Sequence, residues 1–235
     1  MVAKRKKTNL IPCAYCRNPI RQCDSQRDHI PPKSLFTSPR PNNLVTVRCC
    51  ETCHQVLSDG DEALRSFAAL SWGTTTSAKG LKASADRAHI RAPWWLAELK
   101  ECARQSSAIP NPYNPSEELR EIRVSGGVAE AIHRTLTRTV RGLLFDHDPD
   151  FDTRSIKFDL FQSKPINLEH FAYVAHGLGT LRFRKVFGEG AFGAIWDFTV
   201  EDPHSGVMVM SFFGRMNFTV FFGPPGRFPG HPPAP

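Results

Sequence analysis

The 235-residue chain has no run of about 18 consecutive apolar residues, which excludes a membrane-spanning helix. Its opening stretch, MVAKRKKTNLIPC, passes from charge straight to cysteine without the apolar core of a secretory signal, so a reducing cytoplasm is the expected location. No internal repeat is visible. The glycines of GLGTLRFRKVFGEGAFG lack a strand–loop–helix context and a P-loop lysine, which argues against a nucleotide site there. Acidic residues are few where basic ones are many. Through residue 60, ten Lys/Arg face four Asp/Glu, and the whole chain carries a formal charge of +7. An anionic partner suits that balance, although the leading run Lys4, Arg5, Lys6 and Lys7 reads equally well as a solubilising tail.

What the chain does have is cysteine. Seven, an odd number in a reducing compartment, favour metal ligation over disulfides. Cys13 and Cys16 form one Cys-x-x-Cys knuckle, and Cys50 and Cys53 form another. Each knuckle turns two thiolates to one side of a tight loop, and two knuckles complete the tetrahedron that Zn²⁺ prefers. Cys49 competes with Cys50 as a ligand, but only Cys50 has the two-residue spacing to Cys53. The 33 residues between the knuckles exceed the spacing of a plain zinc ribbon, so something is looped out between them. Cys23 and Cys102 stand alone and read as packing residues or spare thiols. A structural zinc stabilises a small domain and by itself says nothing of catalysis.

Composition divides the chain into a basic, flexible arm (1–11), a segment holding nearly all the chemistry (12–72), a helical connector (73–125), a helix followed by a β-rich region (126–222) and a Pro/Gly tail expected to be disordered (223–235). In the second zone SDGDEALRSFAALSW predicts a helix capped by Ser58 or Asp59, with Ala63, Leu64, Phe67, Ala68 and Leu70 on its apolar face. In the third, PWWLAELKECARQ predicts a helix opening at Pro93, and IPNPYNPSEE a proline-punctuated linker that ends at an N-cap, Ser116. GGVAEAIHRTLTRTVRGLLF then predicts an amphipathic helix with the stripe Val128, Ile132, Leu136, Val140 and Leu143, and Gly142 near its end.

Fourteen of the seventeen phenylalanines follow residue 150. They fall mostly in short segments, LRFRKVF, AIWDFTV, GVMVMSFF and MNFTVFF, which predict an antiparallel sheet packed on that helix. Arg182, Arg184 and Lys185 interleave with these aromatics in a way that could clamp single-stranded nucleic acid, although a hydrophobic sheet core accounts for most of the rings more simply. His133, His147, His170, His176 and His204 have no metal-like spacing among themselves. The expected fold class is α+β.

Between and around the knuckles, CAYC…RDHIPPKSLF…RPNNLVTVRCCETCH resembles the HNH endonucleases. More narrowly it is similar to a bacterial group in which a cysteine knuckle, DHIPPKSLF, PRP, an LVTV strand, a second knuckle and an acidic helix start follow in that order. The resemblance covers residues 12–67, with a weaker echo at RTVRGLLF. It implies a ββα-metal finger, a β-hairpin and a helix around a catalytic divalent ion such as Mg²⁺ or Mn²⁺, beside the structural zinc. It implies that Asp28 binds that ion, that His29 is the general base, and that Asn43 orients the histidine or braces the loop, with Asn42 as a substitute. His54 matches the last motif position, a metal ligand, where the narrower group usually carries asparagine. The acidic cluster Asp59, Asp61 and Glu62 follows, and Asp61 is a further candidate ligand. Lys33, Arg40 and Arg48 read as phosphate contacts or as solvated charges.

The chemistry needs this arrangement. Hydrolysing a phosphodiester puts extra negative charge on the phosphoryl oxygens and the leaving oxygen, which a divalent cation neutralises. An imidazole with a pKa of about 6.5 accepts a proton at neutral pH when it is kept off the metal. Adjacent residues of an extended segment face opposite ways, so Asp28 and His29 can serve different partners. Pro31 and Pro32 restrict the backbone that follows. Each residue also has a plainer reading: Asp28 as a turn cap, His29 as an ordinary hydrogen-bonded histidine, Asn43 as turn chemistry, His54 as a spare zinc ligand. The sequence therefore supports a metal-dependent endonuclease acting on DNA, with RNA the other candidate substrate. The alternatives are a zinc-stabilised nucleic-acid-binding protein with a degenerate site, and a nuclease subunit of a defence system that needs a partner. One finger cuts one strand, so double-strand cleavage calls for a homodimer or two encounters.

Overall fold

A computed structural model of the chain describes residues 9–70, 80, 81, 83, 93–110, 118–121, 124, 126–163, 183–188, 191–213 and 216–225. The basic run at 4–7, the cap at Ser116, Arg182, His170, His176 and most of the tail lie outside the described residues, as do the side chains of Ser58, Asp59 and Leu70. The fold is α+β. Its strands are β1 (Leu10–Pro12), β2 (Pro19–Arg21), β3 (Gln26–Ile30), β4 (Val45–Cys49), β5 (Ser107–Pro110), β6 (Glu118–Glu121), β7 (Lys157–Ser163), β8 (Phe183–Phe187), β9 (Phe192–Phe198), β10 (Gly206–Phe212) and β11 (Met216–Gly223). Its helices are α1 (Glu51–Leu70), α2 (Pro93–Arg104) and α3 (Gly126–His147). No helix among the described residues is long and apolar enough to cross a membrane. The chain forms two compact units, one of Met1–Val56 with Thr137–Pro235 and one of Leu57–Leu136. This differs from the sequential zones that composition suggests, because the division passes through α1 and α3.

In the first unit β1 and β2 form a short antiparallel pair, and β3 pairs with β4 so that Asp28 faces Val47 and His29 faces Thr46. Burial alternates along both strands of the second pair. Asp28 and Ile30 are buried with His29 half-exposed between them, and Val45 and Val47 are buried with Thr46 exposed between them. The end of α3 supplies buried Val140, Leu143 and Leu144. Gly142 does not end this helix, which runs on to His147. It is bare because a Cβ there would stand 2.5 Å from Cγ1 and 2.6 Å from Cδ1 of Ile30.

The C-terminal sheet has five antiparallel strands in the order β7-β11-β10-β9-β8. The four expected strands are β8 to β11, and Phe192, Trp196, Phe212 and Phe222 are fully buried among them. The helix meets the sheet as expected: the His147 ring lies 4.1 Å from that of Phe183, and Lys185 Nζ lies 3.0 Å from Asp146 Oδ2. The edge strand β7 was not foreseen. Its sequence, KFDLFQS, mixes charged and polar residues with apolar ones, as edge strands do.

In the second unit Ala63, Leu64, Phe67 and Ala68 of α1, Leu99 of α2, and Val128, Ile132 and Leu136 of α3 are buried. Gly60 lies inside α1 without breaking it. A Cβ there would stand 2.6 Å from the Ala131 carbonyl oxygen, so only glycine fits. Glu98 Oε1 accepts a hydrogen bond from the Val128 N–H at 3.4 Å. The helix expected at Ser58 or Asp59 starts at Glu51, and both residues are interior to it. The stretch read as a linker, residues 109–118, begins inside β5 and ends inside β6, which pair from Ser107–Glu121 to Pro110–Glu118.

Candidate metal centre and neighbouring hairpin

The first knuckle is the turn between β1 and β2. Asn18 O accepts from Cys13 N–H, Cys13 O accepts from Arg17 N–H, and Arg48 O on β4 accepts from Ala14 N–H, each at 2.9 Å. Arg17 takes a left-handed conformation (φ 61°) to close the turn. The second knuckle is the start of α1. Cys50 immediately precedes the helix, and its Sγ accepts the Cys53 N–H at 3.4 Å. This is the bond that a Ser or Asp oxygen makes at an N-cap, so a knuckle sulfur caps the helix.

The four Sγ atoms of Cys13, Cys16, Cys50 and Cys53 lie within 4.8 Å of one another and can hold a metal ion such as zinc. The Cys16–Cys50 separation is 3.8 Å. Zinc–sulfur bonds of about 2.3 Å in a tetrahedron give an edge of about 3.8 Å, whereas a disulfide needs about 2.05 Å. All seven cysteines are free. Burial pushes the Cys13 thiol up, but N–H donors of Cys16, Cys50 and Tyr15 outweigh it and leave the thiol below its usual value. Burial raises Cys16 and raises Cys53 strongly, so a cation is needed to hold these two as thiolates. The competition between Cys49 and Cys50 is resolved: Cys49 is outside the cluster, its Sγ 3.9 Å from Gln26 O. Burial, then the Asp28 carboxylate, pushes its thiol up to about 12.

Asp28 is buried, and its Oδ2 accepts a hydrogen bond from the Tyr15 hydroxyl. The Arg138 guanidinium, from α3, lies 3.5 Å from the same oxygen. Burial, then Asp28, holds the Tyr15 phenol well above its usual pKa, so it stays a donor. His29 faces the other way. Burial and then the positive charge of Lys33 lower its pKa, Asp28 opposes this, and Arg27 adds to it. The imidazole is therefore neutral at pH 7.

The remaining candidates are more dispersed. Asn43 and Asn42 are exposed in the loop before β4. Lys33 and Arg40 are exposed, while Arg48 is half-buried and its Nη1 donates to Ser25 Oγ at 3.1 Å, which ties β4 to the chain before β3. His54 is half-buried in the first turn of α1, and its N–H donates to Cys50 O at 3.0 Å. Asp61 belongs to the second unit. Among the described residues the four cysteines are the only group of three or more His, Cys, Asp or Glu donors close enough to share an ion. Neither Asp28 nor His54 belongs to such a group, and one Asp28 oxygen is already engaged by Tyr15. Sequence reading missed Tyr15 and Arg138. One is the Y of CAYC and the other is the first residue of RTVRGLLF, but nothing in their spacing pairs them with Asp28.

No protein-family model, curated protein or solved structure matches the chain.

Proposed function

We propose that this protein is a zinc-stabilised endonuclease of the HNH type that hydrolyses phosphodiester bonds in DNA, with His29 as the general base. The observation that carries this reading is the division of labour on β3: Asp28 points inward and His29 outward, on a hairpin that leads directly into a cysteine-pinned helix. The outward imidazole is neutral at pH 7 because it is partly desolvated and stands near Lys33 and Arg27. The same cations favour the approach of a phosphodiester. In the proposed reaction a ring nitrogen of His29 takes the proton of the attacking water, and Lys33 with Arg40 steadies the backbone.

A divalent cation such as Mg²⁺ or Mn²⁺, when bound, would neutralise charge on the phosphoryl and leaving oxygens. Asp28 and His54 are the residues the resemblance assigns to it. As they stand they do not fit such an ion without further donors, so no step is derived through it. The reading is tested by incubating zinc-loaded protein with supercoiled plasmid and Mg²⁺ or Mn²⁺. Wild type is expected to nick the plasmid and His29→Ala to leave it intact. Equal nicking by both removes His29 as the base.

A second reading is favoured by one observation, the engagement of Asp28 by Tyr15 and Arg138. A carboxylate committed in this way suits a nucleic-acid-binding module without a catalytic ion. Titrating Mn²⁺ into the zinc-loaded protein by calorimetry separates the two: a nuclease takes up a second ion, and a pure binder does not.

A further inference from the structure

We infer that Arg138 and Tyr15 are positioning residues that fix the Asp28 carboxylate and, through it, the outward aim of His29, so that the C-terminal part of α3 belongs to the nuclease centre. The catalytic half of this inference rests on the nuclease reading above, and the structural half rests on geometry alone. A carboxylate as buried as that of Asp28 requires both a countercharge and hydrogen bonds. It receives them from two segments remote in sequence. The Tyr15 hydroxyl comes from the first knuckle and the Arg138 guanidinium from α3, and the Arg138 side chain is only 2% exposed.

The match continues one step further along both elements. Arg138 and Gly142 are four apart on α3, hence on one face and about 6 Å apart along its axis. Asp28 and Ile30 are two apart on β3, hence on one face and about 6.6 Å apart along the strand. Arg138 meets Asp28, and the bare backbone of Gly142 receives Ile30. One helix face therefore grips the inward face of β3 at two consecutive inward residues. His29 lies between them and has only the outward side left to it. A slip of one residue in β3 would turn His29 inward and Asp28 outward. The two-point grip, with Tyr15 closing over the same carboxylate, opposes that slip.

The test uses the full-length, zinc-loaded protein and the variants Tyr15→Phe, Arg138→Met, Arg138→Lys, Asp28→Asn and the pair Asp28→Asn with Arg138→Met. Zinc content and folding are measured first, then steady-state nicking across DNA concentrations. Tyr15→Phe, which removes one hydroxyl, is expected to keep its zinc and fold. Its kcat should fall by a factor on the order of ten to a hundred while KM stays within about twofold, because the reacting group is misplaced and not removed. Arg138→Met should lose more, and Arg138→Lys should recover part of the loss. Folded Tyr15→Phe and Arg138→Lys proteins with wild-type kcat overturn the catalytic half, even where Arg138→Met does not fold.

A double-mutant cycle at positions 28 and 138, read by urea unfolding of the singles and the pair, tests the contact without any cleavage. A coupling of at least about fivefold in the folding constant is expected. Additive behaviour overturns the inference whatever the activity. A wild type that cleaves nothing, with the coupling present, removes the nuclease reading and leaves the grip of α3 on β3 standing.

Discussion

At the scale of the residue, His29 owes its chemistry to its neighbours. Partial burial and the charges of Lys33 and Arg27 disfavour the imidazolium, while Asp28, turned inward and already paired with Arg138, compensates only in part. Under the proposed reading His29 is the general base, and a base of this kind fails only when it is protonated. The acid limb of the cleavage rate should therefore lie below about pH 6.5, the ordinary histidine value, with a plateau through neutrality. A pH–rate series at fixed metal concentration checks this, and a limb at higher pH contradicts it. The stability consequence has the same sign: below the ordinary value the unfolded chain binds the proton more readily than the folded one, so acidification through that range costs stability. Removing the imidazole by His29→Ala should lower the rate by about 10²–10⁴-fold without changing zinc content. The opposition of Asp28 and His29 was legible in the sequence because adjacent residues of a strand must diverge. Tyr15 and Arg138 were not, since a tertiary hydrogen bond across 13 residues and an ion pair from a distant helix leave no periodic trace.

At the scale of the element, the knuckles do more than offer four sulfurs to an ion. Cys50 caps α1 with sulfur, and the oxygen-bearing residues Ser58 and Asp59, which resemble caps in sequence, are interior to the helix. The apolar stripe gave the body of the helix correctly, and its first turn was hidden because its signals are metal-ligand residues. Chelation should therefore cost more than the metal. Stripping the ion from the full chain is expected to melt the first turn of α1 and the β1–β2 turn, seen as lost helical circular dichroism and new exchange at the Cys53 and His54 amides. Cys53→Ser should reproduce this in the presence of zinc. The α3–β3 contact gives a second prediction. Gly142→Ala pushes a methyl group into Ile30 and should destabilise by about 1–3 kcal/mol in urea unfolding. Shortening the opposing side chain with Ile30→Val in that background should return part of the loss.

At the scale of the whole molecule, the β3–β4 hairpin and the cysteine cluster do not form a self-contained N-terminal domain. The unit that holds it takes in the chain from Thr137 onward, and α3 supplies both the countercharge of Asp28 and the seat of Ile30. Composition marks the change from knuckles to aromatic strands, and it cannot mark this return, which depends on single residues of α3. A fragment of residues 9–72 should accordingly bind zinc through its four cysteines yet leave the β3 amides open to hydrogen exchange, unlike the intact chain. The formal charge of +7 adds that DNA affinity should fall steeply with salt, with a log–log slope that becomes shallower on neutralising Lys33 or Arg40. The most direct measurement of the central claim is single-turnover nicking by His29→Gly with and without added imidazole. The account predicts that wild type nicks, that the variant is silent, and that imidazole in solution restores part of its rate in a base-dependent way. Wild-type cleavage by the variant alone, or a zinc-loaded wild type that leaves DNA and RNA uncut with every divalent ion supplied, would contradict it.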